Sequence, residues 1–99
     1  MRILKKEGAF DWDSGNSEKN LVKHGVTNAE SEEALFDPSK RTWIDIPHSK
    51  NEKRYVILGK TKNDRVLFII FTLRHGRIRV ISARGASRKE KNMYEEATA

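Results

Sequence analysis

Residues 65–84 read RVLFIIFTLRHGRIRVISAR. The run Val66–Phe71 is apolar without alternation, which predicts a central strand covered on both faces. His75-Gly76 then turns the chain into a second β-branched strand. Two strands joined by so short a turn must lie antiparallel. The second strand sets a problem, because Arg77, Arg79 and Arg84 lie in and around an otherwise core-like run. By strand alternation Arg77, Arg79, Ile81 and Ala83 point one way, and Ile78, Val80, Ser82 and Arg84 the other. Taking Ile78 and Val80 as the core face sends Arg79 to the open face. Ile81 and Arg84 break this parity, which either a bulge or an open face that is only partly open would reconcile. On an open face the fixed fork of Arg79 suits a phosphate. The alternative is an ion pair with Glu52, Glu90 or Asp45, and local sequence leaves both open.

Working outward, RTWIDI (41–46) predicts a strand ended by Pro47. RYVILG (54–59) predicts another, with Tyr55 and Ile57 on one face and Val56 and Leu58 on the other. Between it and the central strand, KTKND (60–64) is a polar turn. Ser87 and Glu90 have capping-box spacing, opening a last helix that runs to about Glu96. Toward the N-terminus, Asp13 or Ser14 can cap a short helix over about 14–24. Gly25 would end it, with Lys23 and His24 facing the negative end of its dipole. Thr27 and Glu30 form another capping box, and Pro38 closes the second helix. The expected order is a short N-terminal strand, two helices, three or more strands and a last helix. The fold class is therefore α+β: a small antiparallel sheet with two N-terminal helices packed on it and a C-terminal helix.

Ninety-nine residues predict one domain spanning 1–99. With no cysteine, disulfides and thiolate metal sites are excluded. VLFIIF is too short to span a bilayer, and MRILKKEGAF has no long apolar segment after its basic residues. A cytoplasmic protein with no membrane association is expected. The net charge of +6 is unevenly spread: residues 1–49 balance at −2 and residues 50–99 at +8. Such asymmetry points to one basic face and a polyanionic partner, most simply nucleic acid.

Chemistry also concentrates in DIPHSKNEKR (45–54), where Asp45, His48, Glu52 and Arg54 stand between two strands. Imidazole titrates near neutrality, so His48 is the natural proton shuttle. Its simpler role is a loop histidine bonded to Asp45. Glu52 can accept a proton or pair with Arg54 or Arg79. No H-E-x-x-H motif or carboxylate cluster is present, and no metal site or other cofactor is expected. Helix termination alone accounts for His24. Trp12 beside a helix start reads as a hydrophobic staple, with base stacking as the functional alternative.

FDWDSGNSEKNLVKHGV (10–26), EEALFD (32–37), H-S-x-x-E-x-R (48–54) and IRVISARGASRKEKNMYEEA (78–97) together resemble the BrnT-type ribonuclease toxins of bacterial type II toxin–antitoxin pairs. The resemblance runs from about Phe10 to Glu95 and leaves residues 1–9 outside it. It implies a RelE-like fold, RNA cleavage without a metal, and a hetero-oligomer with a small BrnA-like antitoxin whose DNA-binding part recognises the operator. The family's polar signature falls on Trp12, Lys19, Asn20, Lys23, His24, His48, Glu52, Arg54, Arg79, Ser82 and Arg84. Gly15 stands where a proline is common, and Asn28 where an aromatic is usual.

Cleavage of this kind uses the substrate's own 2′-hydroxyl as nucleophile. It needs cations on the developing phosphorane charge, a base for the hydroxyl and an acid for the leaving oxygen. Arg79, assisted by Arg54, is expected at the phosphorane, and His48 or Glu52 as base, with His48 alternatively the acid. Lys23, His24, Lys53, Ser82, Arg84, Arg88 and Lys89 are the expected RNA contacts. Two competing readings use the same basic face: a non-catalytic nucleic-acid-binding domain, and a module that only binds an acidic antitoxin.

Overall fold

Helix α1 (Lys19–His24) and helix α2 (Asn28–Leu35) precede four strands, β1 (Arg41–Ile44), β2 (Arg54–Lys60), β3 (Val66–Arg74) and β4 (Arg77–Gly85), and helix α3 (Arg88–Thr98) follows. The computed structural model describes residues 9–48 and 51–98, of which the side chains of His48, Ala97 and Thr98 are outside the description. The strands form one antiparallel meander in the order β1-β2-β3-β4. The α+β class and the strand order are as expected.

The β3–β4 hairpin closes on His75 and Gly76, with φ of 54° and 75°, and Arg74 pairs with Arg77. Two positive φ values in a two-residue loop match the right-handed twist of the flanking strands. The anticipated bulge is present. Ser82 pairs with Ile70 and Val80 with Phe71, so Ile81 is the extra residue. Its insertion puts Ile78, Val80 and Ala83 together in the core, and Arg79, Ser82 and Arg84 together on the outer face.

The inner face carries the main core. Ile57, Leu67, Ile69, Phe71, Ile78 and Val80 pack against Val26, Ala34 and Leu35 from the helical segment. Removing the Phe71 side chain, which is fully buried, would cost about 3–5 kcal/mol. Helix α2 approaches β2 so closely that a Cβ on Gly59 would overlap the Ala34 carbonyl oxygen. Its start is the expected capping box. The Thr27 hydroxyl accepts from Glu30 N, and Glu30 Oε1 accepts from Thr27 N. Helix α3 lies on the outer face, where Tyr94 and Met93 pack with Leu58, Val66 and Phe68. The Tyr94 hydroxyl donates to Asp37 at 2.5 Å. No helix among the described residues is long and apolar enough to cross a membrane.

The N-terminal region departs from expectation. The predicted first strand is reduced, among the described residues, to a single parallel bridge between Phe10 and Ile78. The predicted helix over 14–24 begins only at Lys19, after a turn over 14–18, and has no side-chain cap. The residues thought to open it are occupied elsewhere. Asp13 accepts from Gly15 N, and the Asn16 amide donates to Val80 O at 3.1 Å. Ala83 N donates to Asn20 Oδ1 at 3.1 Å, and Asp11 N donates to Ile78 O at 2.8 Å. The segment saturates the outer edge of β4, whose backbone groups would otherwise be left unpaired. Gly25 does end α1, with φ of 67°, and Arg65 adds a hydrogen bond to its carbonyl.

Candidate active site

Antiparallel register lays the outer face out in rows across the sheet. Arg41, Leu58, Phe68 and Arg84 form one row. Trp43, Val56, Ile70 and Ser82 form the next, and Arg54, Thr72 and Arg79 the third. Helix α3 covers the first row: Met93 packs on it, and Arg41 donates to the Met93 carbonyl. The other two rows lie beyond that cover. In the third, Arg54 and Arg79 flank Thr72 from the two neighbouring strands, about 10 Å apart at ordinary strand spacing. Buried Thr72 donates its hydroxyl to the Lys53 carbonyl at 2.8 Å, which ties the loop before β2 to the sheet beside Arg54.

Arg79 does not face an empty hollow. Its Nη1 and Nη2 donate to the two Asp13 oxygens at 2.9 and 3.1 Å, and Asp11 lies 3.6 Å from Nη1. The ion pair considered for Arg79 thus forms, but with neither Glu52, Glu90 nor Asp45. Its partners come from the N-terminal segment, which the Phe10–Ile78 bridge lays against β4. The Arg79 guanidinium, helped by Gly15 N, holds the Asp13 carboxyl below the usual carboxylate range, and Asp13 in turn raises Arg79. A Cβ on Gly15 would sit 3.1 Å from Arg79 Nη2, so a larger residue here would press on the guanidinium. The Asp13 side chain remains half exposed, while that of Arg79 is only 15% exposed. Both Nη atoms of Arg79 are thus occupied by a carboxylate.

Arg84 behaves differently. Its guanidinium lies 4.2 Å above the Phe68 ring and grips Glu90 through two hydrogen bonds of 2.8 and 3.0 Å. Glu90 also accepts from Ser87 N, completing the α3 capping box. Arg84, and then Ser87 N, hold the Glu90 carboxyl below its usual range. Exposed Arg88 and Lys89 stand in the first turn of α3, at the same end of the sheet as Arg84. Ser82 lies in the middle row, between the two groups of cations.

The remaining candidates are dispersed. Lys23 and His24 close α1, which is tied through Gly25 to Arg65. Arg65 lies about 23 Å along β3 from Thr72 at the usual strand rise. Glu52 pairs with Arg74 at 3.6 Å, and the carboxylates on Arg79 are Asp11 and Asp13. The side chain of His48 lies outside the described residues, so its expected role in proton transfer is not placed. Trp12 packs structurally, its indole stacked on Phe10 and its N–H donating to Glu32 at 2.7 Å. Among the described residues no group of three or more His, Asp or Glu side chains is arranged to hold a metal ion. A groove of about 520 Å³ between α2 and the β2–β3 turn is lined by Glu32, Glu33, Phe36 and Lys60 and includes no arginine.

Sequence reasoning did not find Asp11, Asp13, Asn16 or Asn20 in these positions. The signal was their density in one polar segment, which reads equally well as helix capping. No curated protein matches the chain. A family model, described as ribonuclease toxin, BrnT, of type II toxin–antitoxin system, matches residues 12–90. That span includes both flanking arginines, the carboxylate at Asp13 and the whole sheet, and the chain belongs to this family of ribonuclease toxins, whose substrate is RNA and whose partner is an antitoxin.

Proposed function

We propose that the chain cuts RNA by activating the substrate's own 2′-hydroxyl, without a metal, on the row formed by Arg54, Thr72 and Arg79. The observation that carries this reading is the placement of two guanidinium-bearing residues two strands apart on the outer face of a BrnT toxin, beyond the row that α3 packs on. Arg79 and Arg54 bind the phosphodiester and stabilise the charge that builds on its oxygens in the transition state. A guanidinium stays charged at any working pH, so it neutralises a phosphorane without moving a proton.

RNA binding begins by replacing the Asp13 carboxylate on Arg79. Carboxylate and phosphate offer the same two-oxygen match to a guanidinium fork, and an exposed ion pair yields readily to competition. Glu52 or His48, both in the stretch that leads into Arg54, takes the proton from the 2′-hydroxyl, and His48 alternatively protonates the leaving 5′-oxygen. Ser82, Lys53, Arg84, Arg88 and Lys89 contact the flanking backbone, and Lys23 and His24 meet RNA only where it extends past the α1 end. A BrnA-like antitoxin neutralises the toxin in the cytoplasm, and the complex binds operator DNA.

The test is cleavage of a mixed RNA by purified toxin in excess EDTA, beside the same sequence as DNA and as 2′-O-methyl RNA. Cleavage of RNA alone, unaffected by EDTA, is the expected result. Activity that disappears with EDTA, or cleavage of the 2′-O-methyl strand, would rule the mechanism out.

A further inference from the structure

The chain has two tryptophans, and they are used differently. Trp12 is held at both its ring and its N–H. Trp43 belongs to neither apolar cluster. It is 36% exposed, and among the described residues its indole has no ring partner and no hydrogen bond. An aromatic of that size left half in water forgoes much of the burial that makes tryptophan stabilising. Its position is informative. Trp43 pairs with Val56 at the β1 end of the middle row, directly beside the row of Arg54, Thr72 and Arg79. Arg54 is its diagonal cross-strand neighbour, on the same face, about 7–8 Å away at ordinary sheet geometry.

We propose that Trp43 is a nucleobase platform: the base of a nucleotide flanking the phosphate on Arg54 and Arg79 stacks on its indole. This rests on the proposed RNA site and adds to it a residue that recognises bases, not phosphates. Every base presents a π-face, so a flat indole beside a cationic row binds single-stranded RNA with little sequence preference. The edge of β1 provides the needed access, since all four of its residues are exposed. Because β1 pairs with β2 alone, no further strand flanks it among the described residues. The cationic row attracts and orients the strand, and the indole fixes the path by which it leaves the site.

The experiment uses the full chain, a short 2′-O-methyl RNA of mixed sequence that cannot be cut, and the variants Trp43→Ala and Trp43→Phe. Stacking should quench the emission of Trp43 on titration with this RNA. Trp43→Phe should lose that quenching, because only Trp12 remains to emit, yet keep most of the affinity. Trp43→Ala should bind about 5- to 160-fold more weakly, the range that stacking of one base supplies. It should leave the slope of log affinity against log salt unchanged, since no phosphate contact is lost. Quenching that persists in Trp43→Phe, or wild-type affinity in Trp43→Ala, would overturn the platform while leaving the ribonuclease reading intact, provided wild type still cuts RNA. Antitoxin binding weakened by Trp43→Ala with RNA binding unaltered would also overturn it, assigning the indole to the protein partner. Wild type that neither binds nor cuts RNA would remove the proposed site and the platform together.

Discussion

Arg79 and Arg84 stand on the same strand and the same face, and each holds a carboxylate, yet their surroundings differ. Arg84 lies flat on Phe68 and is gripped by Glu90, six residues away, whose backbone already begins the covering helix. The pair is local and joins α3 to the sheet. Arg79 is gripped by Asp13, sixty-six residues away, on a segment with no helix above it. A guanidinium whose partner is also a helix cap is a structural joint. One whose partner is a half-exposed carboxylate on a neighbouring turn is, in the proposed reading, a site with an exchangeable occupant. In the proposed reading, the half of the outer face under α3 holds the fold and the half beyond it takes substrate.

Substituting the two arginines in parallel should separate these roles most strongly. Arg79→Ala is expected to lower RNA cleavage by about 10²–10³-fold, the usual loss when one group serving transition-state charge is removed. Arg84→Ala should lose thermal stability and keep most of the activity. Cleavage rates and melting temperatures measured on both variants decide the matter. Equal losses of activity would erase the distinction between the halves, and a large loss of stability in Arg79→Ala alone would reverse it.

Tyr94 tests the cover itself. It is the buried residue of α3 that packs on the sheet, and burial, followed by its bond to Asp37, pushes its hydroxyl well above the usual tyrosine value. Tyr94→Ala should cost about 3 kcal/mol, and Tyr94→Phe, which loses only the hydroxyl, about 1 kcal/mol. Urea unfolding of both variants at neutral pH gives these values. At temperatures where Tyr94→Phe is folded, its RNA affinity should equal that of wild type, because the arginine row is not under α3. A fall in affinity matching the fall in stability would show the two halves to be one unit.

How much of this was legible in the sequence depended on distance along the chain. The β3–β4 hairpin, its bulge and both capping boxes rest on residues within a few positions of one another, and each formed as the local pattern implied. The partner of Arg79 did not. Ion pairs at long sequence separation are set by which segment tertiary packing lays beside a strand, and nothing in residues 77–85 indicates that Asp11 and Asp13 lie next to them. The same holds for Asn16 and Asn20. Both fall in the segment read as one helix; Asn20 does lie in α1, but Asn16 lies in the turn before it, and both side chains bond the edge of β4. The stop of α3 short of the arginine row was likewise illegible, since an amphipathic helix announces that it covers something without saying how far it reaches.

The smallest expected effect, and the most direct comparison of the two carboxylates, comes from neutralising each. Glu90→Gln keeps an oxygen for Ser87 N but loses the charge facing Arg84, for a cost of about 0.5–1 kcal/mol at neutral pH, given how exposed that arginine is. The native Glu90 value is depressed below that of the unfolded chain, so the native state binds fewer protons than the unfolded one in the interval between the two. The advantage of wild type is therefore complete above the unfolded glutamate value of about 4.3 and disappears as pH falls through the lower native value. Melting curves stepped downward from pH 7 should show a constant gap between wild type and Glu90→Gln that closes only in acid. A gap that widens on acidification would contradict the assignment. Asp13→Asn shares the sign of this dependence, since Asp13 is also depressed, but its main consequence is expected elsewhere: with the occupant of Arg79 weakened, uncleavable RNA should bind several-fold more tightly and with a steeper dependence on salt. Glu90→Gln should change both far less, because Arg84 meets only the flanking backbone and not the phosphate on Arg79.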